Sequence, residues 1–486
     1  MFIREIKLEN FKSFKGEHTL FFEKNFTFFV GDNNSGKSTI FESVDFLKAG
    51  ISSTKKLEDI KTKDSMGDVS VTVKLQGGLK SVVDDFSESK YLDYIFDEDG
   101  IETILAKRTS RISKIFQGKK EVEINVKKVT LWNDKTKQFE NPSGLDTVFK
   151  TLFETQFIWA DTNPDDISDF GSTKICGRLL AGSIGNFFET KQWNDFVDVH
   201  AKTFSNGPDS LSVRTKDLER KIQDIIASQY GIANVNFNFQ LPEATSFIKA
   251  GTIDIDDGTK TSSKDKGTGM QRALALALIQ IYADELCKHP DDPTKKKPLF
   301  LFIDEPETFL HPKAQDKLLR ALDAISDIQQ VFVTTHSPYL LKSFNSKKHI
   351  LYSCQRSSGT NKVNPSNVLN LFGKSSPTWG EINYFAYGLE TVEFHNELYG
   401  FVQTKAIRSD SKYEKIEELD KYLLSNGVAI YLDWIHEKTS GDIKYKVTLP
   451  TYIRNIIHHP ENSKNITYSS TQLSESTKKL IDILKK

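Results

Sequence analysis

Cysteine is scarce in this chain, with three residues in 486. Cys176, Cys287 and Cys354 stand far apart and no two share a metal-ligand spacing, which excludes a dense disulfide framework and a thiolate metal site. Free thiols in a reducing cytosol fit that usage. Net charge is nearly missing as well: 65 basic against 66 acidic side chains leave a formal −1. No global field therefore draws the chain to nucleic acid or to an anionic membrane, and only a local basic groove remains open. Long apolar runs are also lacking. ALALALI and LFLFI fall far short of the ~20 residues that span a bilayer. MFIREIKLENFK breaks its apolar residues with charge and offers no small-residue cleavage site, unlike a secretion signal. The expectation is a soluble, cytoplasmic protein with no membrane partner. Internal repeats and sustained heptads are absent too, which removes solenoids and long coiled-coil arms.

What is present begins at the N-terminus. IREIKLENF alternates with a period near two, KSFKGEH reads as a turn, and TLFFEKNFTFFV returns as an aromatic-rich strand. That strand runs into Gly31-Asp-Asn-Asn-Ser-Gly36-Lys37-Ser38, a full GxxxxGK[ST] pattern, followed by a helix with Ile40, Val44, Phe46 and Leu47 near helical spacing and Gly50 as a stop. Strand, glycine loop and helix together bind nucleotide phosphates. The glycines admit close backbone approach, the helix presents its positive end, Lys37 reaches the β/γ-phosphates and Ser38 can ligate Mg²⁺. Asn33, Asn34, Ser35 and Thr39 complete the expected ATP cradle.

Three further stretches belong with it. LFLFIDEPE is an apolar strand ending in two adjacent acids, which suits Asp304 to the Mg²⁺ shell and Glu305 to polarising water. VFVTTHSP is a second buried strand, ending in His336 where a γ-phosphate could be sensed. KGTGMQRALALAL opens a helix on glycines, so Thr268, Gly269 and Gln271 can clamp phosphate. Between these motifs, residues from about 63 to 146 read as strands and turns, and those from about 147 to 230 as helices. Strand character returns with VNFNFQ and TIDIDDG, and a lysine–proline loop, HPDDPTKKKP, precedes LFLFIDEP. After Phe372 the composition turns polar and helical.

A glycine loop, a GTGMQR signature, DEPE with FLHP, and TTHSP, in that order, resemble the ABC-type ATPases of the RecF/SMC/OLD group. The resemblance covers residues 1 to about 85 and 234 to about 372. It implies an α/β fold: an ABC-type P-loop ATPase head with an inserted mainly helical lobe and a C-terminal helical module. The expected parts are head halves at 1–85 and 234–372, an insertion at 86–233 and a C-terminal module at 373–486. Thr268-Gly269-Met270-Gln271 departs from the Ser-Gly-Gly-Gln of transporters, and Gln156 is the candidate for the Q-loop. The family also implies a composite site in which one subunit's signature closes on the nucleotide of another. Thr268 and Gly269 would then act in trans, in a homo-oligomer of at least two subunits and up to a larger ring.

OLD nucleases carry a C-terminal TOPRIM domain with a DxD pair for metals, and no DxD follows residue 372. The chain in this respect resembles the stand-alone ATPase subunits of anti-phage systems of the PARIS and Septu type. That resemblance implies a sensor that answers a phage trigger protein and restrains or releases a separate effector nuclease. A second possibility lies in Arg454-Asn455-Ile-Ile-His458-His459, which resembles the RNxxxH core of HEPN ribonucleases, with Arg454 and His459 as the active pair. An ordinary structural role for the same residues is an ion pair for Arg454 and a helix C-cap for the histidines. Ser469 to Gln472 forms an S-x-x-Q capping box ahead of a helix with Leu473, Leu480, Ile481 and Leu484 on one face. Glu393 and Glu397 with His395 between them read as a solvated helix face rather than a metal site. A RecF-like DNA-repair clamp is the third reading.

Overall fold

The computed structural model describes residues 1–485 except 25, 53, 64, 86–88, 118–119, 160–169, 172–175, 178, 181–184, 242–243, 250, 287–297, 309, 311, 358–359, 366–369 and 438–440. Cys287, most of the lysine–proline loop, and Phe309 and His311 of the FLHP stretch lie outside the described residues. The chain divides into two compact units, residues 1–160 with 287–486, and residues 161–286.

The first unit holds two sheets. One is antiparallel and contains β1 (Phe2–Phe11), β2 (Phe14–Phe21), β4 (Ser70–Gln76), β5 (Phe96–Glu98), β6 (Ile101–Thr109), β9 (Thr130–Asn133) and β10 (Gln138–Glu140). Its order is β10-β9-β6-β4-β1-β2, with β5 beside β6. A hairpin, β7 (Ser113–Gln117) and β8 (Lys120–Ile124), stands apart from it in pairing. The second sheet runs β11 (Thr155–Ile158), β14 (Phe300–Asp304), β15 (Gln330–Thr335), β3 (Phe26–Val30), β16 (His349–Ser357) and β17 (Thr360–Pro365). All of its pairings are parallel except β16 with β17. Every residue of FTFFV, FLFID and QVFVTT is buried, as expected of strands covered on both faces.

Helix α1 (Lys37–Ala49) follows the glycine loop, with α2 (Leu79–Asp85) and α3 (Leu145–Leu152) later in the unit. One hydrophobic cluster joins Ile6, Leu8, Val71 and Val73 of the antiparallel sheet to Phe41 and Val44 of α1 and to Phe29, Phe302 and Phe332 of the parallel sheet. Phe302 stacks on Phe332 with centroids 4.6 Å apart, and Phe41 meets Phe302 edge-on. Each such buried ring contributes about 1.5–3 kcal/mol. Arg108 of β6 is buried and donates to the Leu47 and Val126 carbonyls at 3.0 Å, which terminates α1 and ties it to the antiparallel sheet.

The head therefore differs from the expected division. Strands β5, β6, β9 and β10, assigned by sequence to the 86–233 insertion, extend the sheet of β1 and β4, and β11 pairs with β14. The cause is long-range pairing, which a local period cannot reveal. The second unit carries α4 (Lys191–Ala201), α5 (Leu211–Gln229), α6 (Ala244–Lys249), the short pair β12 (Asp254–Asp256) and β13 (Lys260–Ser262), and α7 (Thr268–Leu286). VNFNFQ is not a strand here. Phe237 N–H donates to Glu219 at 2.7 Å, and Gln223 donates to the Val235 carbonyl at 3.1 Å, so α5 side chains take up its backbone groups.

Helix α8 (Pro312–Ser326) links β14 to β15. Beyond β17 come α9 (Trp379–Tyr387), α10 (Val392–Ser409), α11 (Ile416–Ser425), β18 (Ile430–His436), β19 (Ile443–Thr448), α12 (Leu449–His458) and α13 (Ser470–Lys485). This C-terminal region is not wholly helical as expected, because β18 and β19 form a hairpin whose Trp434 and Val447 pack on Tyr452. Phe394, Leu398 and Val402 of α10 build a cluster with Leu419, Leu423, Leu480 and Ile481. The capping box at Ser469 and Gln472 is present, with reciprocal bonds of 3.3 and 2.7 Å. The expected solvated face of α10 holds for Glu393 only. His395 is fully buried with Nε2 2.8 Å from the Ser476 hydroxyl, and Glu397 accepts the Thr378 hydroxyl at 2.6 Å. Among the described residues no helix is long and apolar enough to cross a membrane.

Candidate active site

Three parallel strands bring the sequence motifs together. Asp304 of β14 is level with Thr334 of β15, and Thr335 is level with Val30 of β3, so all three strands end at one edge. Gly31 leaves β3 with φ +143°, and a Cβ there would lie 2.1 Å from the Cys354 carbonyl oxygen. Only glycine fits that approach. Burial pushes the adjacent Cys354 thiol up to about 12, leaving it protonated and inert. Gly36, with φ +91°, turns the chain into α1.

Lys37 is buried, and its ammonium donates to the Gly31 and Asp32 carbonyls at 2.9 and 3.0 Å. The Ser38 hydroxyl donates to both Asp304 carboxylate oxygens at 2.9 and 3.0 Å. The loop Asn33–Thr39, with Glu305, Arg356 and Asn361, lines a cavity of about 760 Å³. These residues fit a nucleotide with Mg²⁺. Among the described residues the Ser35 hydroxyl is buried without a hydrogen-bond partner, the Ser38 and Asp304 oxygens lie together, and the buried Lys37 ammonium sits at the start of α1.

Glu305 follows Asp304 at φ +47°, a conformation that costs a non-glycine residue of order 1–3 kcal/mol. Its N–H donates to the Thr334 carbonyl and hydroxyl oxygens at 3.1 Å. The Thr334 hydroxyl in turn donates to Asp304. His336 Nδ1 lies 3.3 Å from Glu305 Oε1 and 3.8 Å from Glu307 Oε1. An acid beside an imidazole at the cavity wall can orient water and pass a proton.

Sequence reasoning missed Glu307, the third acid of DEPE. It accepts the Thr335 hydroxyl at 2.6 Å and the His336 and Ser337 N–H groups at 3.1 and 3.2 Å. Burial pushes its carboxyl up, opposed by those donors. It fixes the turn that carries His336. Arg356 and Asn361 were missed as well, since they come from the β16–β17 hairpin, which no motif marks.

The remaining candidates lie elsewhere. Thr268, Gly269 and Gln271 belong to the second unit at the start of α7, where Thr268 is exposed and Gln271 donates to the Lys264 carbonyl at 2.9 Å. Gln156 sits inside β11 with its amide on the Phe157 carbonyl at 3.3 Å, and it does not line the cavity. In the C-terminal region Arg454, His436 and His459 line a second cavity of about 870 Å³ with Lys446, Asp420 and Tyr445. Arg454 donates to Asn455 at 3.1 Å, and no carboxylate pairs with it among the described residues. His459 Nδ1 lies 3.2 Å from Glu461, and Asp420 is taken up by Thr448. His458 is pushed down by burial first, then by the neighbouring Arg454 guanidinium and the His459 ring.

A family model described as "AAA domain, putative AbiEii toxin, Type IV TA system" matches residues 26–342. The chain is 25% identical over 395 residues to the Old nuclease of Escherichia phage P2, covering 77% of this chain and 63% of that protein. It is 22% identical over 391 residues to Endonuclease GajA of Bacillus cereus (strain HuB5-5), covering 70% and 56%. The chain thus spans less than two thirds of the length of these relatives. Among solved structures, the SmcHead bound to the C-winged helix domain of ScpA matches at 17% identity over 75% of this chain and 98% of that one, with a TM-score of 0.43.

Proposed function

The chain belongs to this AAA-domain family, whose model takes in both the glycine loop and the strands of DEPE and TTHSP, and on that premise we propose that it is the ATP-hydrolysing regulator of an anti-phage defence system. The observation that carries the ATPase reading is the convergence of Lys37, Ser38, Asp304, Glu305 and His336 at one sheet edge. In this proposal the P-loop N–H groups and Lys37 hold the β/γ-phosphates, and Ser38 with Asp304 holds Mg²⁺. Bound Mg²⁺ supplies charge neutralisation at the phosphate oxygens. Glu305 orients the attacking water, and His336 faces the γ-phosphate. Thr268 and Gly269 of a second copy complete the site, so ATP acts as a clamp between subunits and hydrolysis opens it.

The likeness to two proteins named as nucleases supports a role in controlling nuclease activity. We assign that activity to a separate effector, held or released by the ATP-clamped homo-oligomer when a phage trigger arrives. The test is Glu305→Gln, which keeps ATP binding and slows hydrolysis. With ATP it should run as a larger species in size-exclusion chromatography and retain the effector on affinity capture. A variant no larger with ATP than without it would refute the clamp.

The cavity that gathers Arg454, His436 and His459 favours a second reading, an ATPase-gated ribonuclease acting on its own. A guanidinium for the phosphate and imidazoles for proton transfer suit metal-independent RNA cleavage. Purified protein with ATP and Mg²⁺ should then cut labelled RNA, and Arg454→Ala/His459→Ala should abolish the cut. Wild-type protein that leaves RNA intact sinks this reading and leaves the effector in a partner.

A further inference from the structure

The turn that presents His336 is held from two sides. From within the head, Glu307 accepts the Thr335 hydroxyl and the His336 and Ser337 N–H groups. From the C-terminal region, α9 reaches the same turn with both of its ends. Trp379 Nε1 at its start donates to the Pro338 carbonyl at 2.9 Å, and the Tyr387 hydroxyl at its close donates to the Thr335 carbonyl at 3.4 Å. The two bonds bracket His336 in sequence. We infer that Trp379 and Tyr387 are positioning residues for ATP hydrolysis, holding the Thr335–Pro338 turn so that His336 stays beside Glu305.

The chemistry of the contact is consistent with a fixed donor. Burial, then the Glu307 and Asp32 carboxylates, push the Tyr387 phenol well above its ordinary value of 10, so it stays protonated and can donate. Helix α9 is itself rigidly seated. Thr378 and Glu381 form a capping box at its start. A Cβ on Gly380 would meet Glu397 Oε2 at 2.5 Å and Phe394 Cδ2 at 2.8 Å, so α9 lies flush against α10. Phe394 is part of the C-terminal core. Close packing of α9 on α10 therefore couples the seat of α9, and with it the turn of His336, to the C-terminal core. Through these two bonds α9 acts as a buttress of the turn that carries His336.

The inference rests on the ATPase reading, and the experiment separates the two. Steady-state ATP hydrolysis and equilibrium binding of a fluorescent ATP analogue are measured for wild type, Trp379→Phe, Tyr387→Phe and Gln355→Ala. Gln355 is the control, because it donates to the Phe385 carbonyl at 2.8 Å and so holds α9 without touching the turn. Trp379→Phe should lower kcat about tenfold and Tyr387→Phe about threefold, as expected from losing one good and one long hydrogen bond. Analogue affinity should stay at the wild-type level in both, and Gln355→Ala should match wild type in both measurements. Unchanged kcat in the two variants overturns the positioning role. So does a parallel loss of kcat and affinity shared by Gln355→Ala, which marks α9 as merely structural. If Trp379→Phe fails to fold, Tyr387→Phe alone decides. A wild-type protein that binds but never turns over ATP overturns the ATPase reading and this inference together.

Discussion

Lowering the pH should destabilise the C-terminal region through a single buried imidazole. His395 of α10 is fully buried, with Nε2 on the Ser476 hydroxyl and Nδ1 unpartnered among the described residues. Burial alone pulls it down from 6.5 to about 4. In the unfolded chain the same residue takes up its proton near 6.5. Between these values the unfolded state binds more protons than the folded one, so folding stability is intact above about 6.5 and falls as pH drops towards about 4. The full difference corresponds to about 3 kcal/mol, most of which is lost between pH 7.5 and 4.5. The perturbation is His395→Gln, which cannot titrate. The assay is urea unfolding at each pH, read by pulsed hydrogen exchange of the peptide covering Val392–Ser409. Wild type should lose roughly 2–3 kcal/mol more than the variant across that range. Stability curves that run parallel in the two proteins would refute the argument.

Lys37→Ala removes the buried ammonium from the Gly31 and Asp32 carbonyls and should weaken ATP binding about 100-fold, as read by isothermal titration. Mixing Lys37→Ala with Thr268→Ala should restore hydrolysis that neither has alone, because a mixed pair retains one intact composite site; additive loss would place Thr268 outside it. Gly31→Ala forces a Cβ to within 2.1 Å of the Cys354 carbonyl oxygen and should lower the melting temperature; an unshifted melt would mean that the strand end gives way freely.

The nucleotide half of the site was legible because its parts are local. FTFFV, FLFID and QVFVTT read as buried strands without any knowledge of their partners, and in a parallel sheet their ends must meet at one edge. The capping box at Ser469 was legible for the same reason. What escaped was set by contacts distant in sequence. Nothing in TQFI announces β11 as the neighbour of β14, and nothing in ILAKRT announces a pairing with β4, so both were placed in an insertion. Arg356 and Asn361 enter the cavity only because β16 lies beside β3. His395 shows how a polar residue between two acids can mislead: α10 turns it inward onto α13, while Glu393 faces solvent.

The position of β3 at the heart of its sheet has a consequence for biosynthesis. Its two neighbours, β15 and β16, are encoded some three hundred residues downstream. At translation speeds of about 5–20 residues per second, the aromatic strand FTFFV waits roughly 15–60 s after emerging from the ribosome before either partner exists. Throughout that interval the glycine loop has no sheet to anchor it, and the nascent chain cannot hold nucleotide. Premature ATP capture by a half-made subunit is thereby precluded, because β14 and β15, whose ends complete the site, are also made late in the chain.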